Sequence, residues 1–492
     1  MKKNIFRTHR ALTLVLLALT LVLSACSKKD NEPAGGGGDD TPTSTTTYTI
    51  MQYSVSDKNF DAPFDAHLKE ITDLGNLSHV NFTFRHKYSP EYVAKNPEYA
   101  GVLTGAYTKG DWENFGIITG TDSGYRMDDP QNLADFIKAS MQNYPADKYI
   151  LILDGHGQVF DTDDVPVQPS YEPGQEKHPA VRSILPDNNF STSNCMSIFE
   201  LQKALSLVGR KMDLVYMDLC LTNTIEYMYQ LRNNVDYYVA SLHPSYSRSY
   251  APFITALQKS DDFESVIKGY MDTTINEWTK EMSVQSPCDV NLFKLDRVEG
   301  IVTAFKDYAQ ELVKVRNKAI EDGKYATEFA CYNSIQLYDD MKLVIDTIPV
   351  DGEIYHKWSH VNGVLYPTSS PMVGNTEDVI AVRKDWSGAV DMVSACTRLA
   401  AALQSETLQT KAQAVSAAVK QAQIYSLLRN SQVSWLTQVS CGVLWMYKDK
   451  YTQEYVKYKS VQERYKLLDF DKAVDWDAFL KQNESFYEYT KD

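Results

Sequence analysis

Two short segments of this chain combine residue types able to break an amide bond: Asp154-Gly155-His156-Gly157 and Asp218-Leu219-Cys220. A thiol attacks a carbonyl carbon as its thiolate, so it needs a base or a local field that takes its proton. His156 is the candidate base for Cys220. A helix starting near Thr222 would add the positive end of its dipole. Gly157 has no side chain, so its N–H can come close to a substrate carbonyl oxygen. With the N–H of Cys220 it would form an oxyanion hole. The bland readings stand beside these. A cysteine after a strand also serves packing, and an Asp at a strand end also caps the helix that follows.

Both segments follow apolar runs that read as strands. Lys148 to Asp154 (KYILILD) is apolar enough to be buried on both faces, and Asp213 to Asp218 (DLVYMD) resembles it. Tyr48 to Val55, His79 to Phe84 and Val235 to Ser241 are further strand candidates. Helical spacing fits Pro63 to Leu74, Pro130 to Tyr144, Ser197 to Gly209 and Thr222 to Asn233. Alternating strands and helices imply an α/β layered fold with a mostly parallel sheet, whose ligands gather beyond the carboxyl ends of the strands. After about residue 260 helices dominate: Phe263 to Met282, Val298 to Ile320, Val390 to Leu403 and Lys411 to Leu428.

The N-terminus reads as an address. Lys2, Lys3, Arg7 and Arg10 precede an apolar run from Ala11 to Leu23, which is too short to span a bilayer as a helix. The run closes with Leu23-Ser24-Ala25-Cys26, which resembles the lipobox of bacterial lipoproteins and makes Cys26 the lipidation candidate. Residues 26–47 are rich in Gly, Ser, Thr and Pro and read as a flexible tether. The expected organisation is a signal peptide over 1–25, this tether, a catalytic domain over 48–280, and a mainly helical region over 281–492 with a late strand near 441–446. The expected location is the bacterial cell envelope, lipid-anchored at the outer membrane, with the surface-exposed leaflet as one option.

Composition bounds the partners. The 492 residues carry a formal charge of −15, and loss of residues 1–25 would remove four basic and no acidic residues, giving −19. Such a chain repels phosphate, which argues against nucleic acid as a partner. At 43% apolar and 23% charged it has the composition of a folded protein. The six cysteines besides Cys26 form no Cys-x-x-Cys pair, and no His-Glu-x-x-His is present, so a zinc site is not expected.

At these residues the chain resembles the clostripain family of cysteine peptidases, relatives of caspases, legumains and gingipains. The strand ending in His-Gly matches Leu151 to Gly157. The family's Asp-x-Cys-Leu, with a Glu six residues after the Cys, matches Asp218 to Leu221 and Glu226. Its later strand matches Val235 to Ser241, and Tyr48 to Val55 resembles its first. Cys441 to Met446 and Asp475 to Leu480 echo its closing segments.

The resemblance implies a caspase-like three-layer sandwich and an endopeptidase acting on proteins or peptides. It implies His156 as base and then acid, Cys220 as nucleophile, and Gly157 with Cys220 as oxyanion donors. Asp218 would select Arg or Lys before the scissile bond. Residues two apart on a strand share a face, so Asp218 can lie beside Cys220, and a carboxylate there pairs with Arg bidentately. Glu226 is expected to orient loops. A maturation cut between His and Cys is implied, and Lys177 and Arg182 lie in a polar stretch suited to it. No cofactor is implied except calcium in some members; Asp161, Asp163 and Asp164 lack the spacing of a calcium loop and read as a solvated acidic loop.

The chain departs from the family at three places. Asp154-Gly155 stand where Trp-Asp is usual, and Thr222 where Met is frequent. Leu242 to Tyr246 replaces a segment with acidic residues and a Gly-Trp. Within it, His243 reads as a loop residue or a cleft residue. These positions flank the pocket, so they bear on side-chain preference more than on the dyad. The alternatives are therefore the same dyad with another preference, or a non-catalytic surface lipoprotein on the same fold.

Overall fold

The computed structural model describes residues 44–56, 60–119, 125–157, 184–185, 195–242, 245, 248–281, 288–322, 348–350, 353–355, 358–361, 364–367, 389–429, 439–444 and 463–484. Cys26, Asp161, Asp163, Asp164, Lys177, Arg182 and His243 lie outside the described residues, as do the signal peptide and most of the tether.

A single large sheet organises the chain. Its strands include β1 (Tyr48–Val55), β2 (Val80–Lys87), β3 (Val102–Thr108), β4 (Asp111–Ile118), β5 (Lys148–Asp154), β6 (Met212–Asp218), β7 (Val235–Ala240) and β8 (Cys288–Lys294). The order across the sheet is Gln423–Arg429, β8, β7, β6, β5, β1, β2, β3, β4. The five central strands, β7 to β2, run parallel. Both flanks are antiparallel, so the sheet is mixed where a mostly parallel one is expected. Parallel neighbours need helical crossovers, whereas β3 and β4 join through a two-residue turn, Lys109-Gly110, with both residues at positive φ.

Alternation along the strands produces three layers. Leu151, Leu153, Val215 and Met217 face one core, with Leu133 and Ile137 of the helix Pro130–Asn143 and Leu201 and Leu205 of the helix Ile198–Val208. Ile150, Ile152, Leu214 and Tyr216 face the other, with Phe64 and Ile71 of the helix Asp61–Asp73 and with the helices Ala251–Leu257 and Phe263–Glu281. Each face of the sheet is thus buried against helices, which accounts for the continuous apolar runs of β5 and β6.

Local signals fix helix ends close to where the sequence puts them. Ser197 and Glu200 form a reciprocal capping box, and Gly209 ends the same helix at φ 76°. The long helix Val298–Glu321 and the helix Glu406–Ala422 supply much of the helical C-terminal part. The position expected as a domain boundary, 280/281, does not divide the sheet: β8 and Gln423–Arg429 both lie beyond it and extend it from β7. The late strand is present as Gly442–Leu444, paired antiparallel with Ala389–Asp391.

Candidate active site

β5 and β6 are neighbours, and their last residues, Asp154 and Asp218, face each other in register. The Gly155 N–H donates to the Asp218 carbonyl at 3.4 Å. Gly155 sits at φ 149°, and a Cβ there would lie 2.7 Å from the Val55 carbonyl oxygen. Only glycine suits that turn. Two residues on, a Cβ at Gly157 would lie 2.6 Å from the Cys220 carbonyl oxygen and 2.7 Å from the Leu219 Cβ. The missing side chain is therefore what lets the histidine loop rest against the cysteine loop. His156 is exposed, its ring edge-on to Phe60 with 5.2 Å between centroids. Its carbonyl accepts the Leu185 N–H at 3.0 Å.

Cys220 is half-buried. The Ser245 N–H donates to its Sγ at 3.3 Å, and the Ser245 carbonyl lies 3.7 Å from the sulfur. Burial pushes the thiol pKa up, the Ser245 N–H pulls it down, Asp218 raises it and Arg248 lowers it. The expected help from a helix dipole is absent. The helix is Ile225–Leu231, starting five residues after the cysteine. The reason lies in the backbone between them. Leu221 takes φ 64°, the Asn223 N–H donates to Ser241 at 3.0 Å, and the Asn223 carbonyl accepts the Gly442 N–H at 2.7 Å. Those groups are committed to β7 and to the C-terminal strand, so they cannot open a helix.

Asp218 lies beside Cys220, linked to it through Ser245, whose Oγ donates to Asp218 Oδ1 at 2.9 Å. Yet Asp218 is buried, and its carboxylate is fully engaged. Arg248 Nη2 forms an ion pair with Oδ1 at 2.6 Å, and the Tyr250 hydroxyl donates to Oδ2 at 2.7 Å. Arg248 Nη2 also donates to Ser245 Oγ at 2.7 Å, and Nη1 donates to the Tyr216 hydroxyl. The guanidinium lies 4.8 Å from the Tyr216 ring centroid and 4.5 Å from that of Trp278. Burial works against its charge, but Asp218 together with Tyr216, Tyr270 and Tyr250 outweighs it and holds its pKa above the ordinary value.

Asp154 meets different surroundings. Gln52 Nε2 and Ser54 Oγ donate to its Oδ2 at 2.8 and 3.1 Å. Burial, reinforced by Asp218, pushes its pKa up to about 7. Behind Ser54 stands His86, whose Nδ1 is 2.9 Å from the serine oxygen and whose ring stacks on Phe64. Burial holds this imidazole well below its usual pKa and so neutral. Glu226 is buried on the helix after the cysteine loop, accepting the Leu444 N–H and the Tyr465 hydroxyl at 2.8 Å each. It ties the C-terminal region to that helix.

Gly157, next to His156 in the chain, packs on the Cys220 loop, and Asp218 is joined to Cys220 through Ser245. Ser245, Arg248 and Tyr250 are functional neighbours that sequence reasoning passes over. Their one available signal is Arg248 itself, a lone cation in a Ser/Tyr stretch after β7. Among the described residues no group of three or more His, Cys, Asp or Glu could hold a metal ion, and no helix is long and apolar enough to cross a membrane.

A three-layer α/β sandwich with a cysteine loop and a histidine loop meeting beyond adjacent parallel strands defines a cysteine peptidase of the caspase-like kind. The sequence profile of the Clostripain family, Peptidase C11, matches residues 103–482. The chain belongs to the clostripain family. Its fold is similar to that of a secreted C11 cysteine protease from Bacteroides thetaiotaomicron solved with an irreversible peptide inhibitor (TM-score 0.52, 14% identity, 88% of this chain and 99% of that one). An inactive zymogen C11 protease from Parabacteroides distasonis matches with a TM-score of 0.49 and 16% identity over 88% of this chain and 99% of that one. No curated protein matches the chain.

Proposed function

We propose that this cysteine peptidase is a lipid-anchored endopeptidase working through a His156–Cys220 dyad. His156 takes the thiol proton, and Cys220 Sγ attacks the scissile carbonyl carbon. The negative oxygen is held by the N–H groups of Gly157 and Cys220. When the C–N bond breaks, His156 returns the proton to the leaving amine, leaving a thioester. Water, deprotonated by His156, then attacks the thioester and releases the acid and the thiol. The observation that carries this reading is the close packing of the histidine loop on the cysteine loop at Gly157. The dyad needs no metal or organic cofactor.

The reading includes a lipid on Cys26, the cell envelope as location, the tether ahead of Tyr48, and protein or peptide substrates. It also includes a maturation cut at Lys177 or Arg182, with the region beyond 281 supporting the site rather than reacting. A preference for Arg or Lys is what a free Asp218 carboxylate would impose.

The test uses the purified full chain, before and after a limited tryptic nick with the trypsin removed. It is assayed on fluorogenic peptides beside C220A and H156A. Each variant should lose at least about 1,000-fold in kcat/KM. Turnover that survives C220A would end the reading.

A further inference from the structure

Cysteine peptidases choose substrates largely by the pocket that receives the side chain preceding the scissile bond, and the acid offered for that purpose here is Asp218. Four observations fix its state. Its Oδ1 already pairs with Arg248 at 2.6 Å, and its Oδ2 takes the Tyr250 hydroxyl at 2.7 Å. The side chains of Arg248 and Asp218 are 1% and 3% exposed. The Tyr216 and Trp278 rings stand against the guanidinium. Ser245 binds Asp218 through its hydroxyl, receives Arg248 on the same oxygen, and touches the Cys220 sulfur through its N–H. The internal guanidinium therefore stands one residue away from the nucleophile, on the carboxylate a basic substrate would need.

We infer that Arg248 is a specificity-determining residue: it occupies Asp218 from within, so the peptidase selects an uncharged side chain before the scissile bond instead of Arg or Lys. This rests on the His156–Cys220 reading. A substrate guanidinium would have to displace one that is covalently tethered and held by three hydrogen-bonding partners, and the tethered group has the higher effective concentration. A substrate ammonium fares worse, since it lacks the planar fork. An acidic side chain gains nothing either. Arg248 is enclosed, its Nη groups are committed to Asp218, Ser245 and Tyr216, and the chain's −15 charge repels anions at long range. A basic residue such as Lys177 or Arg182 would then be a poor self-cleavage site, and the maturation cut would come from another protease.

The experiment compares kcat/KM on one peptide series with Ala, Leu, Asn, Asp, Lys or Arg before the scissile bond. It uses the full chain, R248A, D218N/R248A, D218N/R248M and C220A. The wild type should favour the best uncharged residue over Arg and Lys by at least about tenfold. R248A should raise the Arg-to-Ala ratio about tenfold or more, and adding D218N should remove that gain. Because R248A strands a buried carboxylate, D218N/R248M, which lacks both charges, is measured beside it and should still favour uncharged residues over basic ones. Arg or Lys turnover fastest in the wild type and abolished by C220A would overturn this inference and leave the dyad standing. No turnover of any peptide, with Cys220 inert to alkylation, would overturn the dyad, and this inference with it.

Discussion

The ends of β5 and β6 carry the same residue at the same register position and treat it in opposite ways. Asp154 has neutral donors, Gln52 and Ser54, and burial, reinforced by Asp218, raises its pKa to about 7. Asp218 has a guanidinium and is neutralised by it. The loops that follow differ as well. The cysteine loop is tied down by Ser241, Gly442 and Ser440, the last bound by Asn223 Nδ2 at 2.8 Å. The histidine loop leaves its imidazole exposed, and its described backbone ties include the bond from Leu185 to the His156 carbonyl and the long one from the Gly155 N–H to Asp218. The nucleophile's side is thus built as core, and the base's side as surface. The Asp218 carboxylate beside the thiol opposes its ionisation, and the Arg248 guanidinium limits that opposition.

Breaking the ion pair should have the largest effect. R248A removes the partner of a buried carboxylate, so unfolding in denaturant should show a loss of about 3–5 kcal/mol. D218N/R248M should lose distinctly less, because neither charge remains. Equal losses in the two variants would show that packing against Tyr216 and Trp278, and not charge, sets the cost.

Next comes G157A. Its Cβ would meet Cys220 and Leu219 at 2.6 and 2.7 Å, so the two loops must part. kcat/KM should fall about 100-fold, since a displacement of about 1 Å suffices for that. Thermal unfolding should register about 1–3 kcal/mol of overpacking. Full activity in G157A would mean that the loops need not touch.

A smaller effect should appear in the pH dependence of stability. The Asp154 pKa is raised in the folded chain, to about 7 from 3.8. Protons are therefore held more tightly folded than unfolded. Its favourable contribution is complete below pH ~4 and is lost as pH rises through about 7. D154N should accordingly match the wild type in Tm near pH 4 and exceed it increasingly toward pH 8. A constant Tm difference across that range would show that the proton plays no part.

The smallest change belongs to S245A, which removes the hydroxyl bridging Arg248 and Asp218 but keeps the N–H on Cys220. A loss of about 1 kcal/mol in denaturant, with kcat/KM within a few-fold, is the expected result.

Much of this arrangement is legible in the residues. β1 and β5 run over the very spans their apolar patterns mark, because central strands bury both faces. The helix at 198–208 is bracketed by its own caps, Ser197 and Gly209. His156, Gly157, Cys220 and Asp218 stand out because loops beyond parallel strands are where ligands collect. Other parts depend on long-range pairing. β4 is an edge strand with polar residues exposed, so it lacks an apolar signature. Gln423–Arg429 continues directly from the helix Glu406–Ala422 with no breaker between them, and its pairing with β8 makes it a strand. β8 itself carries Asp289 and Asn291 at buried positions, where Asp289 accepts the Leu242 N–H at 2.9 Å and Asn291 binds Gln423 and Ser426. Arg248 is 30 residues from Asp218 in sequence, and nothing in the local pattern pairs them.

The most direct test of the dyad is chemical labelling of the thiol. The full chain would be treated with a substoichiometric peptidyl alkylating agent across pH 5 to 9, beside H156A, and the modified site read by peptide mass. One fast adduct on Cys220 is expected, slowing at least about 100-fold in H156A, with Cys195, Cys288, Cys396 and Cys441 unlabelled because all four are buried. Equal labelling rates with and without His156, or an adduct elsewhere in preference to Cys220, would contradict it.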